Sequence, residues 1–396
     1  MHESLLPILR CPVDGGVLEL ASTIACGDGG EILEGVLRCR ECGRWFRIEE
    51  GIADLVRDGL REDEDERAFL ARHAVPEALW AHGPVTPNTP PIVRSGADQR
   101  IVDEGRHWGA FMRRFWDVGD RSIFDIDVRG QHPRFYVAGI LERDERDRTR
   151  RWGAFPTAAG DILFRDIAHL AGRRALDIGC GGGQFGLKYA KAGLDVVGLD
   201  PSFEELRLAR LHARAVGVAR IDFVRGEPAN PPFAPGAFAV LLAKDSLHHV
   251  PDLPRVFAER ILPTLAPDAE AIIQEHVGKS RVKRAVLRRI APPLVEKMRR
   301  RYPKHPIPEE LLRDSANEDV AMADVQPVLR QHFRTTREWG GCWLYLDVEA
   351  LVYFAFGRRA WFAAIWKAVA WAMEQLAKPF EGPEFWTFRG IRRGGG

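Results

Sequence analysis

Asp177-Ile-Gly179-Cys-Gly181-Gly-Gly183-Gln184 and, some way downstream, Gly-Leu-Asp200-Pro201 place two carboxylates around a run of glycines. Glycines let the backbone turn sharply and approach a ligand where a Cβ would collide. A carboxylate that ends a strand about twenty residues later can accept both hydroxyls of a ribose. These residue types at this spacing fit a ligand that contains a nucleoside, either a dinucleotide or S-adenosylmethionine. Gly181-x-Gly183-x-x-Gly186 formally matches the dinucleotide pattern, so the glycines alone leave NAD open. Two details favour the sulfonium. The run begins at Gly179, directly after the apolar stretch, and Asp177 sets a negative charge where a pyrophosphate would be repelled and a cationic amino group attracted.

The elements that must position these residues are strands alternating with helices. Ala175 to Ile178 reads as a buried strand, Gln184 to Ala192 as the helix that aims its free amides back at the turn, and Asp200 as the end of the next strand. Ile221–Arg225, Phe238–Ala243 and Ala269–Gln274 are further short apolar runs suited to a parallel sheet covered on both faces. Ligands in such sheets sit beyond the carboxyl ends of the strands, which gathers Lys244, Asp245, His248, His249, Glu275 and His276 at one end.

With those residues in view, the chain resembles the class I S-adenosylmethionine-dependent methyltransferases. The likeness extends through Gly226-Glu227-Pro228-Ala-Asn-Pro-Pro232-Phe233 and Leu247-His248-His249-Val250, in the family's order. It departs from the family where Glu227 replaces an aspartate, where Ala239 replaces another, and at Leu262-Pro-Thr-Leu-Ala-Pro267-Asp268. The resemblance implies a seven-stranded Rossmann-like sheet with helices on both faces. It also implies that Asp177, Gly179, Gly181, Gly183 and Gln184 hold the methionine part of the cofactor, Asp200 and Pro201 the ribose, and Glu227 and Pro228 the adenine edge. Lys244 is expected beside the methyl group. Methyl transfer is an in-line displacement, so the protein chiefly aligns the acceptor and, for oxygen or nitrogen acceptors, removes a proton. A histidine with a pKa near ~6.5 suits that task. His248 and His249 are the first candidates as base, with Asp245 as orienter and Glu275 and His276 as second choices. A histidine that only shapes the pocket is equally consistent with the sequence.

The first sixty residues read as a separate module. Cys11-Pro-Val-Asp14-Gly-Gly16 and Cys39-Arg-Glu-Cys42-Gly, followed by Trp45-Phe46-Arg47-Ile48, are similar to the Trm112-like zinc ribbons. The resemblance implies four ligands on two knuckles, and here Cys11, Asp14, Cys39 and Cys42 occupy the four positions, with a carboxylate in place of one thiolate. Cys26 is an alternative fourth ligand, and a ribbon whose packing has replaced the Zn²⁺ fits the same residues. Such a ribbon can dock on the methyltransferase domain or on a partner.

The whole chain has 396 residues, 45% hydrophobic and 29% charged, with a net charge of +1. That composition suits a soluble α/β domain with additions and gives no global attraction to nucleic acid. No basic, apolar leader opens the chain, and six unevenly spaced cysteines form no disulfide framework, so a cytoplasmic location is expected. Arg61-Glu-Asp-Glu-Asp-Glu-Arg67 reads as a solvated charge run and Pro84 to Pro91 as linker, so residues 59–97 are expected to join the 1–58 ribbon to a helical cap at 98–170. That cap is rich in aromatics and suited to covering the acceptor. The cofactor-binding core spans 171–278, and residues 279–396 supply a basic insertion, helices and the last strands. Lys279 to Lys304 has eleven basic residues against Glu296 alone, suited to an anionic acceptor, to RNA phosphates or to a solvated face. Leu351 to Leu376 is too interrupted by Arg358, Arg359 and Lys367 to span a membrane and reads as a buried or membrane-surface helix, which leaves peripheral membrane contact open. Phe385 to Ile391 is expected as the final antiparallel edge strand.

The reading is an S-adenosylmethionine-dependent methyltransferase acting on an oxygen or nitrogen of a small molecule or carrier-linked glycan. The alternatives are an RNA or protein methyltransferase and a non-catalytic scaffold.

Overall fold

Among the residues that the computed structural model describes (1–80, 94–116, 162–215, 217–219, 221–301, 320–356 and 360–394), eleven strands join in one sheet. Its centre is five parallel strands in the order β7 (Ile221–Arg225), β6 (Asp195–Asp200), β5 (Arg174–Ile178), β8 (Phe238–Lys244) and β9 (Leu265–His276). Beyond β9, β11 (Phe385–Arg392) lies antiparallel between β9 and the edge strand β10 (Phe333–Gly341). These are the seven strands expected. The expected edge strand is interior, however, because β10 pairs along its outer side.

On the opposite flank the sheet continues into the ribbon. β1 (Leu18–Cys26), β2 (Ile32–Cys39), β3 (Trp45–Glu49) and β4 (Ile52–Asp54) form an antiparallel meander, and β4 pairs in parallel with β7, Ile52 opposite Phe223 and Asp54 opposite Arg225. The junction is charged as well as hydrogen-bonded. Buried Asp54 accepts from Arg47 at 3.0 Å and from Arg225 at 3.2 Å.

The period-2 alternation of β5 divides its side chains between two cores. Ala175 packs with Val196, Phe223 and Val240 under α3 (Gln184–Lys191) and α4 (Phe203–Ala215), which supply Phe185, Leu187, Leu206 and Ala209. Leu176 and Ile178 point the other way, into a core that runs without a break from Leu37, Phe46, Ile48 and Leu55 of the ribbon to Val325 and Leu329 of α6 (Val325–His332). A third core is helical. Val286, Leu287, Ile290 and Leu294 of α5 (Arg281–Arg301) pack on Leu344, Val348 and Val352 of α7 (Leu344–Phe356) and Ala370 of α8 (Ala360–Ala377). The stretch read as one helix, Leu351 to Leu376, thus falls on two.

The charge run after the ribbon is only partly solvated, since Arg61 and Glu66 are buried while Glu64 and Asp65 are exposed, and 59–97 is not wholly linker. Asp63–His73 is a helix, α1, whose Phe69 and Leu70 pack against Trp45 and Val36. Arg61 is 1% exposed; it pairs with Glu66, donates to the Trp45 carbonyl at 2.9 Å and lies 5.0 Å from the Trp45 ring centroid. Partners of both kinds, a carboxylate and an aromatic face, let a cation be buried where spacing alone suggested solvent. Of the helical cap, Gly96–Trp116 is a helix, α2. Phe124, Phe135, Tyr136, Trp152 and Phe155, like the Pro84–Pro91 stretch, lie outside the described residues.

Candidate cofactor and catalytic site

β5 ends at Ile178 and the chain turns at Gly179, where φ is 65° and a Cβ would stand 2.4 Å from that of Ser246. Both the left-handed backbone and the contact require glycine there. Gly183 serves differently. It precedes α3, and a Cβ on it would meet the Ala209 Cβ at 2.9 Å. It packs α3 against α4 and does not line the cavity, which departs from its expected place at the ligand.

The turn and the ends of β5, β6, β8 and β9 open on a cavity of about 750 Å³. Asp177, Gly179, Gly181, Gln184, Asp200, Pro201, Glu227, Pro228 and Lys244 all line it, together with Asp245, His248 and His249. Asp177 is buried and accepts from the Gly186 amide at 2.9 Å, and burial pushes its carboxyl up to about 7. Asp200 accepts from the Gly181 and Ser202 amides at 2.9 and 2.8 Å, yet burial still lifts it to about 6. Two desolvated carboxylates in one cavity favour a ligand that brings positive charge and hydroxyl donors.

The reactive end departs from expectation in one pairing. Asp245 faces Lys244 at 2.8 Å rather than a histidine. His248 is oriented by Glu275, whose Oε2 lies 2.7 Å from Nδ1. Glu275 is fully buried, and its Oε1 accepts from the Ser246 and Leu247 amides at 2.9 and 2.8 Å, so the carboxylate is fixed before it meets the imidazole. A carboxylate on Nδ1 selects the tautomer with its proton there and leaves Nε2 as the basic atom. His249 instead faces Glu104 of α2 at 3.2 Å. His276 lines the cavity beside His248, their rings stacked with centroids 5.2 Å apart, and burial lowers its pKa.

Four contributors escaped the sequence reading. Trp343 and Phe385 stack at 4.4 Å and 7° to form an aromatic wall, with His276 edge-on to Phe385 at 4.1 Å. Glu104 lines the cavity from α2. Arg57, just past the ribbon's last strand, donates to Glu227 at 2.6 Å and pairs with Asp98 of α2, although it lines nothing itself. No local pattern marks any of the four, because each lies far in sequence from the glycine motif and is brought near the site only by the fold.

In the ribbon, one ligand atom from each of Cys11, Asp14, Cys39 and Cys42 lies within 4.8 Å of the others. Cys11 and Cys42 are 3.8 Å apart at sulfur, the separation that tetrahedral zinc–thiolate bonds of about 2.3 Å require. Asp14 Oδ1 sits 3.4 Å from the Cys39 sulfur and accepts from the Gly16 amide at 2.9 Å. A Cβ at Gly16 would fall 2.7 Å from that sulfur. The donor set fits a zinc ion. Cys26 stands apart, exposed at the end of β1.

With this geometry in hand, comparison with known proteins places two families on the chain. Residues 176–272 match a methyltransferase domain model and residues 2–51 a Trm112p-like protein model. The chain carries a class I S-adenosylmethionine-dependent methyltransferase domain behind a Trm112-like module. A ubiquinone biosynthesis O-methyltransferase of Ralstonia nicotianae is 43% identical over 90 residues, 22% of this chain and 37% of that protein. The enzyme of the same name from Sodalis glossinidius is 33% identical over 138 residues, 32% of this chain and 55% of that protein. The chain therefore spans between about a third and a little over half of the length of these two relatives. Among the described residues no helix is long and apolar enough to cross a membrane.

Proposed function

We propose that this chain transfers a methyl group from S-adenosylmethionine to an oxygen or nitrogen of a small molecule, with His248 as the base. The observation that carries the reading is a single cavity lined by buried Asp177 and Asp200 and by His248, whose imidazole is held by buried Glu275. Asp177 would hold the cofactor's amino group and Asp200 its ribose. Glu227 and Pro228 would border the adenine, and Gly179, Gly181, Gln184, Pro201 and Lys244 would complete the walls. The bound cofactor supplies an electrophilic methyl on a sulfonium. His248 takes the acceptor's proton on Nε2 while Glu275 stabilises the charge that forms on the ring. Trp343 and Phe385 offer a flat apolar wall on which an acceptor ring can stack. The relatives named as O-methyltransferases favour oxygen as the acceptor atom.

The test is calorimetric titration of the purified chain with S-adenosylmethionine and S-adenosylhomocysteine, with NAD as control, beside Asp200→Ala. Saturable binding of the first two, lost in the variant, is the expected result; binding of NAD alone, or of none in folded protein, would overturn the reading. Turnover is then sought with phenols, amines, carrier-linked glycans and RNA. Cofactor binding without transfer to any acceptor class would favour the scaffold.

A further inference from the structure

The helical layer built on α5, α7 and α8 carries a surface that methyl transfer does not use. Along α8, Ile365, Trp366, Val369, Met373 and Leu376 face outward, with Phe380 just past its end, at exposures from 38% for Met373 to 87% for Phe380. Steps of three and four residues keep Ile365, Val369, Met373 and Leu376 on one side of α8, and exposed Phe380 follows in the turn after it. These six are more than half of the eleven large apolar side chains exposed among the described residues, so they form a patch rather than a scatter.

Charge carried in the same helical layer argues for what covers the patch. α5 packs on the same core through Val286, Leu287 and Ile290, and it exposes Arg281, Arg284, Arg288, Arg289, Lys297 and Arg300. Its exposed carboxylate, Glu296, is held by Arg300 at 3.0 Å. Glu374 of α8 is turned inward and accepts from the Cys342 amide at 3.0 Å. A second copy docking symmetrically through this layer would bring cations against cations. An anionic bilayer answers both features at once. On such a surface the apolar side chains would enter the acyl boundary, Trp366 would sit at headgroup depth, and the arginines would meet lipid phosphates.

We propose that α5 and α8 form a surface by which this protein lies on an anionic lipid bilayer. The layer adjoins the cavity through Trp343, which packs on the helical core and lines the acceptor wall. The inference stands independently of the methyl transfer proposed above.

The test is co-sedimentation of the full chain with vesicles of phosphatidylcholine alone or mixed with phosphatidylglycerol. Binding to the mixed vesicles is expected to exceed binding to neutral ones by about tenfold or more and to weaken with salt. Leu376→Glu with Phe380→Glu, and separately Arg288→Glu with Arg289→Glu, should each lower it by about tenfold or more at unchanged melting temperature. These positions are exposed, so the fold should survive. Absence of binding to mixed vesicles, or equal binding to both kinds, would overturn the proposal. So would light scattering that shows a dimer split by the Leu376/Phe380 variant when the parent ignores vesicles.

Discussion

Asp177 and Asp200 were legible as a pair because the spacing of a strand, a glycine turn and a second strand is local. Their titration follows from burial. With carboxyls at about 7 and about 6 in the ligand-free chain, a cationic cofactor that needs both ionised must compete with protons as pH falls. Cofactor affinity, measured by calorimetry, is therefore expected to be full above pH ~8 and to weaken by about tenfold or more by pH ~5.5. An affinity flat over that range would remove Asp177 from the binding role. Glu275 was harder to read than Asp245, since sequence proximity favours a neighbour three residues from His248 over one on the next strand. Pairing of β8 with β9 is what brings Glu275 beneath the imidazole. His248→Ala should lower kcat by about a hundredfold or more with cofactor affinity within about twofold of the parent. Glu275→Gln, a positioning variant, should lower kcat less and shift the pH–rate profile, because an amide no longer stabilises the imidazolium.

At the scale of elements, a side chain just past the last strand of the ribbon links it to the cofactor site. Arg57 bridges Glu227, which lines the cavity, to Asp98 of α2, the helix that also delivers Glu104. Burial raises Glu227 against the pull of Arg57, so Arg57→Ala should let that carboxyl protonate and swing. An approximately tenfold rise in the S-adenosylmethionine Kd is expected, partly restored by Arg57→Lys, and an unchanged Kd would separate the ribbon from the site. The Cys11, Asp14, Cys39 and Cys42 knuckles were visible as a spacing, but only the fold shows that the carboxylate points at the thiols. One equivalent of zinc by elemental analysis is expected, lost in Cys39→Ser. Because the ribbon shares its core with the rest of the chain, chelation should lower the melting temperature without releasing the module. Zinc-free parent protein of the same stability would mean that packing has replaced the metal.

Across the whole molecule, the parallel strands were readable because a sheet covered on both faces writes itself as short apolar runs. The join between ribbon and domain was not, because β4 is three residues long and its pairing with β7 bridges a gap of more than 160 residues. Residues 1–58, read from sequence as a module set apart by a linker, contribute four strands to the sheet and Leu37, Phe46, Ile48 and Leu55 to a core shared with Leu176, Val197 and Leu199. Removing them would leave β7 as a bare edge, and an exposed apolar edge strand invites pairing with other chains. It would also uncover Arg225, whose partners Asp54 and Glu62 lie in or just after the ribbon. A chain starting at residue 59 is therefore expected to aggregate, and the cut ribbon added in trans should restore solubility by re-forming the β4–β7 ladder. A soluble, cooperatively melting 59–396 fragment would show instead that the sheet closes at β7. The ribbon would then be an appendage, and the domain boundary near residue 58 would be a boundary of folding as well as of sequence.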